Sequence, residues 1–441
     1  MRKTLLTLAF LVPMTLSAQD LRHPWTLVEC LDWALEHNLT VKQSELSLRQ
    51  KEIQMNTAEN SWLPQASGSV NESISFGRGL TADNTYTSAN TTSTSFSIGA
   101  SMSLFDGLAT PNNIALARLN LEAATADLER ARDDIRVAVA KAYVQVLYDY
   151  EIVDVARKQI ELDDAQVSRL EALAATGKAA QAEVSQQKAS RAQSGVTLVQ
   201  AENNLRLALL DLGQLLEFSS VEGFSVERPE VQIDQILLDM PERIYADAVE
   251  TRPAVLAEQI RLKGTEKSLK IAQAAQYPSL SLSGGVGSNY YTNSKATYPQ
   301  DKLWDQLSHN FSPYIGLSLN IPIFTRFQTR NNIRTARLNQ ELQQIQLDKT
   351  RQSLYKEIQQ AWSNAVAAEA KYRSSSEAAT AAEDAFRLVQ AKYENGKATI
   401  TEFNESRNQL LKTQSDRVQA TYEYLFQSKL LDFYRGSALE M

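Results

Sequence analysis

The sequence predicts an α+β chain made of two tandem repeats, each a pair of strands followed by a long helical hairpin. Three observations carry this. Short motifs recur at one fixed spacing, four segments alternate small polar with apolar residues, and a long proline-free stretch carries a helical apolar repeat. The duplication sets the plan. "NNIALARLN" (Asn112 to Asn120) returns as "NNIRTARLN" (Asn331 to Asn339), "GKA" at Gly177 returns at Gly396, and "VQA" at Val199 returns at Val418. Each pair stands 219 residues apart (331 minus 112, and likewise for the others), and three matches in register mean that half the chain is a copy of the other half.

The elements follow in order. Residues 1–19 read as a signal peptide: Arg2 and Lys3, an apolar run from Leu5 to Leu16, then the small residues of "SAQD". The first repeat spans 20–216, a linker 217–240, the second repeat 241–436, and a tail 437–441. Thr26 opens a helix with a capping box, because Glu29 stands three residues on. That helix runs to about Trp62, where Pro64 ends it and a strand begins. "ASGSVNESISF" (Ala66 to Phe76) alternates, with Ser67, Ser69, Asn71, Ser73 and Ser75 on one side and Glu72 the exception on the other. A polar loop, Gly77 to Thr92, leads to "STSFSIGASMSLF" (Ser93 to Phe105). There Phe96, Ile98, Ala100, Met102 and Leu104 oppose a row of serines, the period-two signature of a two-faced strand. In the second repeat Pro278 takes the place of Pro64. "SLSLSGGVGSNYY" (Ser279 to Tyr291) and "FSPYIGLSLNIPIF" (Phe311 to Phe324), joined by a long polar loop, form the second strand pair.

From Asn112 to about Thr176 there is no proline. At ~1.5 Å per residue that is roughly 95 Å of helix. Ile135, Val139, Ala142, Val146, Val153, Ala156, Ile160, Val167, Leu170 and Ala174 follow the spacing of a coiled-coil seam. Asp149 and Asp163 interrupt it where an apolar residue is expected, and Val137, Val144 and Leu147 begin a second stripe. The hairpins turn at "ATGKA" (Ala175 to Ala179) and "ENGKA" (Glu394 to Ala398), where Gly177 and Gly396 suit a left-handed position after a helix end.

Composition excludes several functions. A formal net charge of -7 gives no basis for nucleic-acid binding. One Cys (Cys30) and three His (His23, His37, His309) leave no disulfide and little material for a metal site. No phosphate-binding loop, nucleophile elbow, zincin motif or paired-Cys motif is present, so neither an enzyme nor a bound cofactor is expected. Four strands of roughly 11 residues have the length that crosses an outer membrane, yet the smallest membrane barrels use eight. Either the strands pack as a soluble sheet or several chains pool them.

"TLVECLDWALEHNL" (Thr26 to Leu39) and "SWLPQASGSV" (Ser61 to Val70), set in this duplicated order, resemble the TolC-type outer-membrane efflux proteins. The resemblance covers nearly the whole mature chain. It implies an α+β membrane protein in the bacterial outer membrane: a homotrimer whose twelve-stranded β-barrel, four strands per chain, continues as a long α-helical barrel through the periplasm. Its partners would be a periplasmic adaptor protein, an inner-membrane transporter reached directly or indirectly, and outer-membrane lipid. Its function would be the exit duct of a tripartite efflux pump. The alternatives are the outer-membrane channel of a type I protein secretion system and, from another class, a soluble periplasmic coiled-coil scaffold. The family's acidic gate positions fall on Glu402 and Glu405, with Glu183 the first-repeat equivalent of Glu402 and Gln186 in the other place. Crowded on a threefold axis, such carboxylates should take up protons more readily than isolated Glu. Tyr393 matches an aromatic that holds the mouth closed, and the tips Thr176, Gly177, Lys178, Asn395, Gly396 and Lys397 match the adaptor-contacting turns.

Overall fold

The duplication is visible in element lengths to the residue. In the computed structural model, which describes residues 23–80, 85–229, 239–296, 299–437 and 439, α3 (Ala109–Ala175) and α8 (Gln328–Glu394) each have 67 residues. Their return helices α4 (Gln181–Leu215) and α9 (Ile400–Tyr434) each have 35. Before them come α1 (Leu27–His37), α2 (Leu39–Glu59) and a 3-10 turn (Asn60–Trp62) in the first half, and α5 (Pro241–Thr251) and α6 (Pro253–Ala274) in the second. The strands are β1 (Gln65–Ser75), β2 (Arg78–Leu80), β3 (Tyr86–Ser88), β4 (Thr91–Phe105), β5 (Ser279–Asn293) and β6 (Ser312–Asn320), with the short helix α7 (Leu303–His309) between the last two. The expected signal peptide lies outside the described residues.

Two compact units form, and each repeat contributes to both. One consists of Gln43–Ala131 and Val249–Tyr355 and holds the strands; the other consists of Met1–Lys42, Arg132–Ala248 and Lys356–Met441 and holds the helical turns. In the strand unit β1, β4, β5 and β6 pair antiparallel in that order, with β1 and β6 at the edges. The register keeps both faces continuous across the repeats. Met102 aligns with Leu282 and Leu282 with Leu317, while Ser69 aligns with Ser97, Ser101 with Ser283 and Ser281 with Ser318. The apolar face is bare, with Ile98 63% and Ile315 81% exposed.

Five sequence expectations are corrected here. The polar loop from Gly77 contains the β2–β3 hairpin, and the loop before β6 contains α7. β6 stops at Asn320 because Pro322 follows and has no N–H to donate. A register shift between Ser103 and Phe105 puts Phe105 opposite Leu280, so the strict alternation ends before Leu104. The first helix is two helices. Asn38 is extended between α1 and α2; its Oδ1 accepts from Thr40 N (2.9 Å) and its Nδ2 donates to the Leu215 carbonyl (3.0 Å).

Both strand-to-helix turns use two consecutive left-handed residues, Gly107 and Leu108 in the first repeat and Arg326 and Phe327 in the second. At Gly107 glycine is required twice over: φ is +68°, and a Cβ would lie 2.5 Å from the Ala274 carbonyl oxygen.

In the helical unit the two predicted stripes of α3 are both buried. Val139, Val146 and Val153 line one and Val144 and Leu147 the other, so α3 has packed neighbours on two sides. Residues 217–229 of the expected linker are packed rather than free; 230–238 lie outside the described residues. Phe218 and Phe224 stack edgewise on Trp25 at 5.2 and 6.1 Å. Trp25 bridges to Val226, and the Tyr143 hydroxyl donates to the Glu227 carbonyl at 2.8 Å.

The sheet tolerates no side chain at one site. A Cβ on Gly285 would lie 2.5 Å from the Ile98 carbonyl oxygen and 3.1 Å from the Tyr314 ring, whereas a Cβ on Gly287 meets nothing nearer than 3.5 Å. Gly285→Ala should therefore cost about 1–3 kcal/mol by overpacking, read as a lowered Tm of the purified protein, with Gly287→Ala close to wild type. Equal melting of the two variants would contradict this register.

Candidate functional site

The two hairpin turns are built alike. After α3 the chain turns at Gly177 (φ +74°), with Lys178 N donating to the Leu173 carbonyl (2.8 Å) and Gly177 N to that of Ala174 (3.0 Å). After α8 it turns at Gly396 (φ +69°), with Lys397 N donating to the Lys392 carbonyl (2.8 Å) and Gly396 N to that of Tyr393 (3.1 Å). This double bond pattern closes a helix whose next residue is left-handed, as the glycines led us to expect. Thr176, Gly177, Lys178, Asn395, Gly396 and Lys397 are all exposed at these tips.

The helices that leave the turns begin differently. Thr399 caps α9, and Glu402, at the third helical position, completes a capping box. Glu402 Oε2 accepts from Thr399 N (2.7 Å) and from the Thr399 hydroxyl (3.1 Å), while Glu402 N donates to Thr399 Oγ1 (3.2 Å). Glu183 occupies the same position of α4, but its cap is Ala180, which has no side chain to offer. The pattern Thr-x-x-Glu is as plain at 399 as at Thr26, and it is the local sequence signal for this box. It has a consequence for charge. The Thr399 backbone N–H, then its hydroxyl, hold the Glu402 carboxyl below the usual range, with Lys392 adding a little. Within one chain Glu402 thus departs in the direction opposite to the expected easier protonation.

Tyr393 is half-buried at the end of α8, its ring 5.0 Å from that of Phe403 and 5.7 Å from the Arg169 guanidinium. Burial raises its phenol, with Glu183 adding to the effect and Gln166 and Arg169 opposing it. Arg169 also donates to the Glu394 carbonyl (3.1 Å) and lies 3.9 Å from the Glu394 carboxylate. The turn region therefore gathers Tyr393, Glu183 and Arg169 around the start of α9. Beneath them lies an apolar cluster of Leu170, Val184, Phe386, Ile400, Phe403 and Leu410. Glu405 is exposed one turn beyond Glu402 on α9.

Sequence reasoning missed one further arrangement. Asp163, flagged as an interruption of the apolar seam, is not exposed but buried against Arg407 of α9, an ion pair that Gln187 and Ser194 of α4 complete. Arg407 falls in the spacing Ile400, Phe403, Arg407, Leu410, so it also holds a core place. Asp149, the other interruption, is buried too; it accepts from Gln145 Nε2 at 3.0 Å, and burial raises its carboxyl.

Among the described residues no group of three or more His, Cys, Asp or Glu is placed to hold a metal ion. Cys30 is buried, and desolvation pushes its thiol up to about 12, which suits a packing residue. No described helix is long and apolar enough to cross a membrane.

Comparison with known proteins bears on the family and the fold. The family described as outer membrane efflux protein matches residues 30–216 and 244–437, one match per repeat. The chain is 24% identical over 406 residues to the outer membrane efflux protein BepC of Brucella suis, covering 92% of this chain and 84% of that one. It is 22% identical over 361 residues to the outer membrane protein TolC of Escherichia coli K12, covering 79% and 71%. Among solved structures the outer membrane protein VceC of Vibrio cholerae superposes with a TM-score of 0.77 at 20% identity, covering 94% of this chain and 97% of that one.

The capping box generates a test. A carboxyl held down by folding adds stability that is present above its unfolded pKa and lost as pH falls through its folded value. Thr399→Ala should speed amide exchange across 400–403 at neutral pH and leave 181–184 unchanged. The gap between variant and wild type should close on acidification below the ordinary carboxylate range. Equal exchange at neutral pH would show that Thr399 does not hold this turn.

Proposed function

Because the chain belongs to the outer membrane efflux protein family, we propose that three copies form the exit duct of a tripartite pump, passing small molecules from a periplasmic adaptor and an inner-membrane transporter to the cell exterior. The chain is an outer-membrane efflux channel with a periplasmic helical extension, and it is not an enzyme. The observation that carries the proposal is the sheet. Its apolar face is bare, its opposite face is serine and glycine, and the outer edges of β1 and β6 meet no further strand among the described residues. Lipid suits the first face and channel water the second.

In this reading Lys178 and Lys397, with the turns that carry them, meet the adaptor. Glu402 and Glu405 of each chain, with Glu183 behind them, ring the periplasmic mouth, and Tyr393 helps to hold it closed. Six carboxylates converging on one axis concentrate negative potential and offer oxygen ligands to a divalent cation. The capping box fits this role, because it keeps Glu402 ionised and fixes its carboxylate at the start of α9.

The test is conduction. In planar bilayers wild-type protein should prefer cations and be blocked by divalent cations. Glu402→Gln/Glu405→Gln, nearly the same size but uncharged, should lose most of both properties while assembling normally. Unchanged selectivity and block would place the gate elsewhere.

A further inference from the structure

β5 has 15 residues and β6 nine, so β5 outruns its partner. Their last pair is Gly287 with Ser312. Beyond that pair α7 takes the place of a strand. Gln306 Oε1 accepts from Tyr291 N (2.8 Å), Gln306 Nε2 donates to the Tyr291 carbonyl (3.0 Å), and Asn310 Nδ2 donates to the Asn289 carbonyl (2.7 Å). One side-chain amide thus satisfies an edge residue in both directions, as a neighbouring strand would. The helix also leans to one side of the sheet. Ser288, aligned with Phe96 on the apolar face, donates its hydroxyl hydrogen to the Leu307 carbonyl (2.7 Å). Trp304 stands two positions from Gln306, on the far side of the helix from β5, and is 77% exposed.

Height decides what this helix can meet. β4 and β6 lead to α3 and α8 at the opposite end of the sheet, and those helices are the periplasmic extension, so α7 lies at the outward end. On the two central strands the apolar row ends at Phe96 and Val286. Past them it carries Thr94 and Thr92 on β4, and Ser288, Tyr290 and Thr292 on β5. Tyr291, which Gln306 holds, is five residues past Val286 (291 minus 286). At ~3.3 Å per residue and a barrel tilt of about 40°, Tyr291 stands roughly 12 Å above the hydrocarbon. A phospholipid headgroup layer is only about 5–7 Å deep. From Gln306 at Tyr291 to Asn310 at Asn289 the helix descends, so Trp304 is at its upper end. A phospholipid surface would not reach it.

The groups around Trp304 suit a sugar. Lys302 and Asp305 are exposed beside it with opposite charges, and Asp301 and His309 lie 3.6 Å apart. A surface balanced in this way does not select a bare phosphate. An indole face packs on the C–H face of a sugar ring, while Lys donates to its hydroxyls and Asp accepts from them. We propose that α7 docks on the headgroup of the outer leaflet's glycolipid, lipopolysaccharide, with Trp304 on a core sugar and Lys302 and Asp305 at its hydroxyls. This surface continues the lipid-facing wall of the sheet through Ser288. The inference goes beyond the duct reading and holds whatever the channel passes.

Amide exchange across 303–309 tests it, in protein reconstituted into three kinds of vesicle. One is phospholipid alone, one adds lipopolysaccharide with its core sugars, and one adds lipid A, which keeps the phosphates but lacks the core. Core-bearing lipopolysaccharide should slow exchange several-fold relative to either other surface. Trp304→Ala should abolish that ratio and Lys302→Ala should reduce it, with the Tm in detergent unchanged. Equal slowing by lipid A would assign the contact to phosphate and overturn the inference. So would a ratio of one in wild type, or a ratio that Trp304→Ala leaves intact. A Tm that Trp304→Ala lowers alike in detergent and in all three vesicles would show packing against a neighbouring chain, and would also overturn it. The number of chains per particle is read separately, so docking can fail while the duct stands.

Discussion

A β-sheet with two open edges cannot rest in hydrocarbon. Each unpaired N–H or C=O there costs several kcal/mol, with no water to satisfy it. β1 and β6 present such edges, on a sheet whose Ile98 and Ile315 face is too apolar and too bare for water. Four strands are too few to close on themselves. The strands must be completed by other chains, and three chains supply twelve. The rest of the molecule follows from that need. The strand pair of each repeat has to deliver both ends to the same side, so each pair feeds a long helix through the same left-handed turn.

Much of this was legible in the sequence because it rests on short-range periodicity. The serine rows, the two stripes of α3 and the glycine turns are local patterns, and each appeared where expected. What escaped notice depended on long-range contact or on competition between local signals. Asn38 breaks the first helix because its side chain reaches the Leu215 carbonyl, a partner 177 residues away. Asp163 was visible as a misfit, but its partner Arg407 lies 244 residues on. The Thr399 box is local and legible in Thr-x-x-Glu, but its Glu402 serves two local signals at once, a charge near the turn and the third position of a helix.

In the proposed duct, that double use of Glu402 would shape the mouth. A carboxylate free at the end of a long side chain would sample many positions. One held by the Thr399 N–H and hydroxyl has its place and its charge set together. The first repeat kept Glu183 but has Ala180 at the cap, so the two hairpins of one chain contribute unequally. The Asp163–Arg407 pair shows the same inequality deeper in the helices. A duplicated chain has in this way become two distinct halves, of which the second carries a capped carboxylate at its turn and the first does not.

The pooling of strands is the claim on which the account stands, and the mass of the detergent-extracted protein tests it most directly. Native mass spectrometry or light scattering corrected for bound detergent should give three chains per particle, resistant to dilution. A particle of one or two chains, stable under the same conditions, would contradict it.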